Sequence, residues 1–142
     1  VALLTKDYLL YANVGDSSGF AMKNGHLLKV TKDHTLVQLL VQAGDITEEE
    51  AKYHPKKNVL MKALGGEEDV IPDIYEVDMS FDAILLSSDG LTNMLSNESI
   101  ENVLNDEDLT PEEKVVKLIR KCNARGGTDN ISVAYLVKES GE

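Results

Sequence analysis

A chain of 142 residues is long enough for one domain with a real core, and its hydrophobic fraction of 42% and charged fraction of 27% are those of an ordinary globular protein. A net charge of -11 excludes the basic footprint that a nucleic-acid backbone demands, and no stretch approaches the ~18 apolar residues of a membrane span. The single Cys122 rules out a disulfide framework and, with no signal peptide opening the chain, points to a reducing cytoplasm.

In chain order, the residue before the first strand-like run is Val1 rather than Met, which reads as a chain cut from something longer. Tyr8 to Val14 predicts a buried strand ending at Gly15-Asp16-Ser17. Two short strands follow, Gly19 to Lys23 and Leu27 to Thr31, joined by Asn24-Gly25, a strong hairpin signal. Leu36, Leu39, Leu40 and Ala43 recur at helical spacing, with Gly44 where a helix would stop. Thr47-Glu48-Glu49-Glu50 is a capping box that starts a short helix, and Pro55 lies just beyond its expected end.

Gly65 to Asp69 is glycine- and acid-rich, hence an exposed loop. Ile74 to Asp78 and Asp82 to Ser88 read as strands separated by a short turn at Met79-Ser80. Ser96 caps a helix running to about Leu104. Thr110-Pro111-Glu112-Glu113 combines a capping box with proline at the first helical position. Val115, Leu118, Ile119 and Cys122 form the apolar stripe of that helix, so Cys122 is a core residue. Gly126-Gly127 stop the helix, and Ile131 to Val137 is the last strand. The order of elements predicts one mixed, layered α+β domain over residues 1–142, without repeats or linkers.

Three aspartates share one local setting. Asp16 follows the strand "YANV", Asp89 follows "AILLSS", and Asp129 precedes "ISVAYLV" after Gly126-Gly127-Thr128. Taken singly, each is a turn or capping residue. Taken together, carboxylates gathered at strand ends repel one another unless a cation compensates, and oxygen-only clusters suit magnesium or manganese.

The ordered motifs "VGDS", "KDHTLV", "SSDGLTN" and "GGTDNISV" closely resemble the metal-dependent protein phosphatases of protein phosphatase 2C type, above all the bacterial cytoplasmic members. The stretch "QAGDITEEEAKYHPKKNVLMKALGG" is similar to the flap segment of those enzymes, about residues 46–64 here. The resemblance runs from about Tyr8 to Val137 and implies the C-terminal portion of a phosphatase catalytic domain. The implied fold is a sandwich of two antiparallel sheets flanked by helices. The implied function is hydrolysis of phosphoserine and phosphothreonine by a metal-activated water, with two or three manganese or magnesium ions in the intact enzyme. By the same resemblance Asp89 and Asp129 hold the paired metals and Asp16 a further one. The implied partners are phosphoproteins, including a cognate serine/threonine kinase.

The sequence also departs from the family pattern. The "RxxNED"-like segment and the "DGMGGH" motif, which carry the phosphate-binding arginine, the bridging aspartate and a proposed histidine acid, are not among these residues. None of His26, His34 and His54 sits in such a setting, and no catalytic residue is assigned. Ser18 stands where the family usually has arginine, and Asn93 where some relatives place an acid. Lys56 and Lys57, on the flap-like segment, either meet phosphopeptide or are solvated surface lysines. Arg125 lies either near the metals or at an exposed helix end. The chain alone is expected to be inactive and prone to self-association. The rival reading is a non-catalytic pseudo-phosphatase or interaction module.

Overall fold

The computed structural model describes residues 1–139 and opens with two short strands, β1 (Ala2–Leu4) and β2 (Leu9–Asn13). A hairpin follows, β3 (Ser18–Lys23) and β4 (His26–Lys29), turned by Asn24 and Gly25 at φ 51° and 78°. Positive φ at both turn residues gives the connection the same twist as its strands. Next come α1 (Leu36–Ala43), stopped by Gly44 at φ 80°, and α2 (Glu48–Tyr53), started by the complete Thr47–Glu50 capping box. After β5 (Asp73–Val77) and β6 (Ala83–Ser87) the chain runs through three helices, α3 (Asp89–Thr92), α4 (Asn97–Leu104) and α5 (Pro111–Ala124). The last strand is β7 (Val133–Val137).

The strands form two sheets, in the orders β1-β2-β5 and β4-β3-β6-β7, and every pairing is antiparallel. This is the expected sandwich. The turn at Met79-Ser80 does more than its length suggests, because β5 pairs with β2 whereas β6 pairs with β3. It carries the chain from one sheet to the other. The one-turn helix α3 is a second addition to the expected elements: Asp89-Gly90 opens it rather than a plain turn.

Side chains alternate along β3 and β6 and feed two cores. Phe20 and Leu85 face the helices and pack with Leu91, Ile100, Leu118 and Cys122, all fully buried. Ala21 and Ile84 face the other sheet and pack with Leu9, Tyr11 and Phe81. Cys122 is thus a core residue, and burial pushes its thiol up. The sheets are in close contact where the Tyr11 ring crosses Gly19: a Cβ at Gly19 would lie 2.5 Å from the ring. The Tyr11 hydroxyl donates to the Phe20 carbonyl at 2.7 Å across the same junction.

Among the described residues, the helices pack chiefly on the larger sheet. On the smaller one Ile74 is 60% exposed and Leu3 52%. Segment 46–64 is a peripheral excursion: α2 has no buried residue, and Tyr53 and Leu64 are each 80% exposed. No helix among the described residues is long and apolar enough to cross a membrane.

Candidate metal centre

Each aspartate owes its place to a different local device. Asp16 sits in the turn between β2 and β3, half-buried, after Gly15 at φ 105°. That turn is held from below by His34. The Gly15 amide donates to His34 Nδ1 at 3.0 Å, so the ring hydrogen is on Nε2, which donates to Asp73 at 2.8 Å. The backbone of His34 also bonds Gly15 and Met61, which ties the turn to the end of the flap-like segment. His34 is therefore a structural histidine.

Asp89 is the first residue of α3, so the amides of that helical turn lie close to its carboxylate. Asn93, one turn on, donates to Asp89 Oδ2 at 3.3 Å and so orients the carboxylate instead of adding a charge to it. Asp129 lies in the loop between α5 and β7, exposed, with its carboxylate accepting the Asn130 amide at 2.7 Å.

The fold brings these charges into one electrostatic neighbourhood. Burial raises the proton affinity of Asp89 most, and the charges of Asp16 and Asp129 add to it. Asp16 is likewise raised, first by burial and then by Asp33 and Asp129. Asp33 is the member that the sequence reading missed. It precedes α1, pairs with Lys29 at 2.9 Å, and is raised by burial and slightly by Asp89. The motif "KDHTLV" that contains it is visible in the sequence, but locally "KDHT" reads as an approach to a helix cap, and only the tertiary fold brings Asp33 near the other aspartates.

The cluster is loose. Among the described residues no group of three or more His, Cys, Asp or Glu side chains is arranged to hold a metal ion. The donor chemistry nonetheless fits a hard cation: every candidate ligand is a carboxylate oxygen, and mutual repulsion gives the group a demand for positive charge. Beside it a cavity of about 450 Å³ is lined by Asn13, Ser17, Ser18, Ser87, Ser88 and Ser132, among others. The buried hydroxyls of Ser18 and Ser87, register partners on β3 and β6, have no hydrogen-bond partner among the described residues.

The other candidates make no hydrogen bond or ion pair with these aspartates among the described residues. Lys56 and Lys57 are exposed just after α2, and neither ammonium meets an acidic side chain among the described residues. Arg125 caps α5 and donates to the Met94 carbonyl at 2.8 Å, which ties the helix end to the link before α4. The exposed-helix-end reading holds for it.

No family model matches the chain. It is 42% identical over 133 residues to the serine/threonine phosphatase Stp of Listeria welshimeri, covering 93% of this chain and 52% of that protein. The solved serine/threonine phosphatase of S. agalactiae superposes with a TM-score of 0.89 at 41% identity, over 96% of this chain and 57% of that one. The catalytic domain of the phosphatase PstP, solved in complex with two manganese ions, superposes with a TM-score of 0.80 at 34% identity, over 93% of this chain and 54% of that one. The chain therefore spans about half the length of the relatives it matches.

Proposed function

We propose, from the premise that this chain is homologous along nearly all its length to bacterial serine/threonine phosphatases of protein phosphatase 2C type, that it supplies part of a metal-dependent phosphoprotein phosphatase. The observation that carries the reading is the electrostatic cluster of Asp16, Asp89 and Asp129 at one end of a sandwich of that fold. Asp89 and Asp129 would hold the paired cations and Asp16 a further one, and manganese or magnesium suits the all-oxygen donor set. When bound, such ions supply an acidified water and neutralise charge on a phosphoryl group. The chain's own part is to hold those carboxylates in place, with Asn93 fixing one oxygen of Asp89. Cys122 is buried and serves packing, so the reading calls for no covalent phosphoenzyme.

The substrates in this reading are phosphoserine and phosphothreonine proteins in the cytoplasm, a cognate kinase among them. Segment 46–64 would act as a flap, and its exposed Lys56 and Lys57 would meet phosphopeptide. The rival, a non-catalytic interaction module, draws support from the lack of a three-ligand group among the described residues.

One assay separates the two. Turnover of a phosphothreonine peptide with manganese is measured for this chain, for a version extended at its N-terminus to the length of the relatives, and for Asp129→Asn in the extended version. The phosphatase reading expects a rate in the extended protein that falls by at least a hundredfold with Asp129→Asn, on the order of losing a principal charge-stabilising group. The 142-residue chain should show little or none. No rate in the extended protein would favour the interaction module, and equal rates in both lengths would overturn the account of the site.

A further inference from the structure

The serine in the N-cap position of α3 does not cap. Ser88 has the extended backbone of an N-cap, φ -70° and ψ 166°, yet its hydroxyl makes no bond to the first turn of the helix. It reaches sideways instead, donating to the Asn130 carbonyl at 3.1 Å and accepting the Ser132 amide at 3.0 Å. The Ser88 amide in turn donates to the Ser132 carbonyl at 3.0 Å. These bonds continue the β6–β7 ladder one step past its last rung, Ser87 opposite Val133.

Gly90, one residue beyond Asp89, admits the same loop from the other side. A Cβ there would clash with the Asn130 carbonyl oxygen and stand 3.3 Å from the Ile131 side chain, so any other residue must push the loop away. Asp89 is flanked by these two contacts, and Asp129 directly precedes the carbonyl they grip.

The clasp has electrostatic work to do. Asp89 and Asp129 repel each other, and the loop that carries Asp129 begins with Gly126 and Gly127 at φ 116° and 49°, which offer little stiffness of their own. The Ser88 hydroxyl bonds tie the residue after Asp129 to the end of β6 and so restrain this loop.

We infer that Ser88 and Gly90 are positioning residues that hold the Asp129 carboxylate beside that of Asp89 and thereby set the affinity of the pair for a divalent cation. The inference rests on the metal-site reading above and adds to it two residues that touch no ion themselves.

The test measures manganese affinity of the full-length protein by the electron paramagnetic resonance signal of free Mn²⁺, with no substrate present. Ser88→Ala should weaken binding on the order of ten- to a hundredfold, the usual effect of removing a partner that orients a ligand. Ser88→Thr, which keeps the hydroxyl, should restore it, and Gly90→Ala should weaken it as well. Thr110→Ala removes the N-cap of α5 far along the chain and serves as a destabilised control, whose manganese affinity should equal that of the parent. Asp129→Asn calibrates the site. If Asp129→Asn weakens binding and Ser88→Ala does not, the positioning role is overturned while the metal site stands. If neither changes binding, the metal-site reading itself fails. If Thr110→Ala weakens binding as much as Ser88→Ala does, the effect is general destabilisation, and the inference is overturned.

Discussion

Asp16, Asp33 and Asp89 each hold a proton more tightly than an aspartate in water, chiefly because their surroundings are partly dry; for Asp16 and Asp89 anionic neighbours add to this, whereas Lys29 works against it at Asp33. For an acid raised in this way the folded state binds more protons than the unfolded one, so its contribution to stability is lost as pH rises above the ordinary value of 3.8. Other carboxylates run the opposite way: Asp73, hydrogen-bonded by His34, and Asp106, bonded by Lys117, are both lowered. The informative quantity is therefore a difference between variants. In EDTA, Asp89→Asn should melt higher than the parent at neutral pH, and the gap should close as the pH falls toward 4. Adding manganese should reverse the order, since only the parent gains stability from the ion. Thermal melts across pH, with and without manganese, check both signs. The individual carboxylates were legible in the sequence only through their ordered company; each by itself has the local signature of a turn. Ser88 was hidden for a related reason, since it occupies the N-cap position and betrays its different use only through contacts some forty residues away.

Local signals wrote most of the elements. Thr47 and Thr110 start their helices with complete capping boxes, Gly44 ends α1, and Asn24-Gly25 closes the hairpin, because each device acts within four residues. What such signals cannot carry is partnership. The turn at Met79-Ser80 looks the same whether the next strand pairs with its predecessor or crosses to another sheet; the apolar faces of β3 and β6 decide it. His34 shows how elements are then joined, since one ring spans the turn before β3 and the start of β5. His34→Ala leaves the Gly15 amide and the Asp73 carboxylate without that partner. It should cost on the order of 1 kcal/mol of stability, because only the Gly15 amide is buried, whereas the exposed Asp73 carboxylate keeps Lys62 and water. Urea denaturation measures the cost, and faster amide exchange at Gly15 should accompany it. An unchanged midpoint would mean that water replaces the imidazole without loss.

At the scale of the whole chain, the described residues form a sandwich with one face dressed and one bare. The larger sheet buries Phe20 and Leu85 against Ile100 of α4 and Leu118 of α5, whereas the smaller sheet leaves Leu3 and Ile74 in water. Leu136 at the edge strand β7 is 47% exposed. Bare apolar faces next to open strand edges favour association between chains. The 142-residue chain should therefore sediment as a concentration-dependent mixture at micromolar concentrations, and Ile74→Lys should shift it toward monomer. A single monomeric species across that range would contradict this. The sandwich itself followed from the motif resemblance, but the uneven dressing of its faces did not, because it depends on which strands share a sheet.

The ladder between β6 and β7 also bears on how such a protein can change over generations. Asp89 and Asp129 lie 40 residues apart in sequence, yet they stand just beyond paired ends of two adjacent strands. Neighbouring strands keep a spacing of ~4.8 Å whatever the chain does between them. The excursion through α3, α4 and α5 can therefore change length where it contributes nothing to the core, in the link between α4 and α5, and each doubling of a flexible connection costs only about 0.6 kcal/mol. Insertions in the link between α4 and α5, at Asn105 to Leu109, would leave the acidic pair where it is. A single-residue deletion at the start of β7 would not: with the rest of the strand held in register, it draws the Asp129 loop one residue along the ladder. Lineages descending from such a chain can lengthen that helical excursion while the register of five rungs stays fixed.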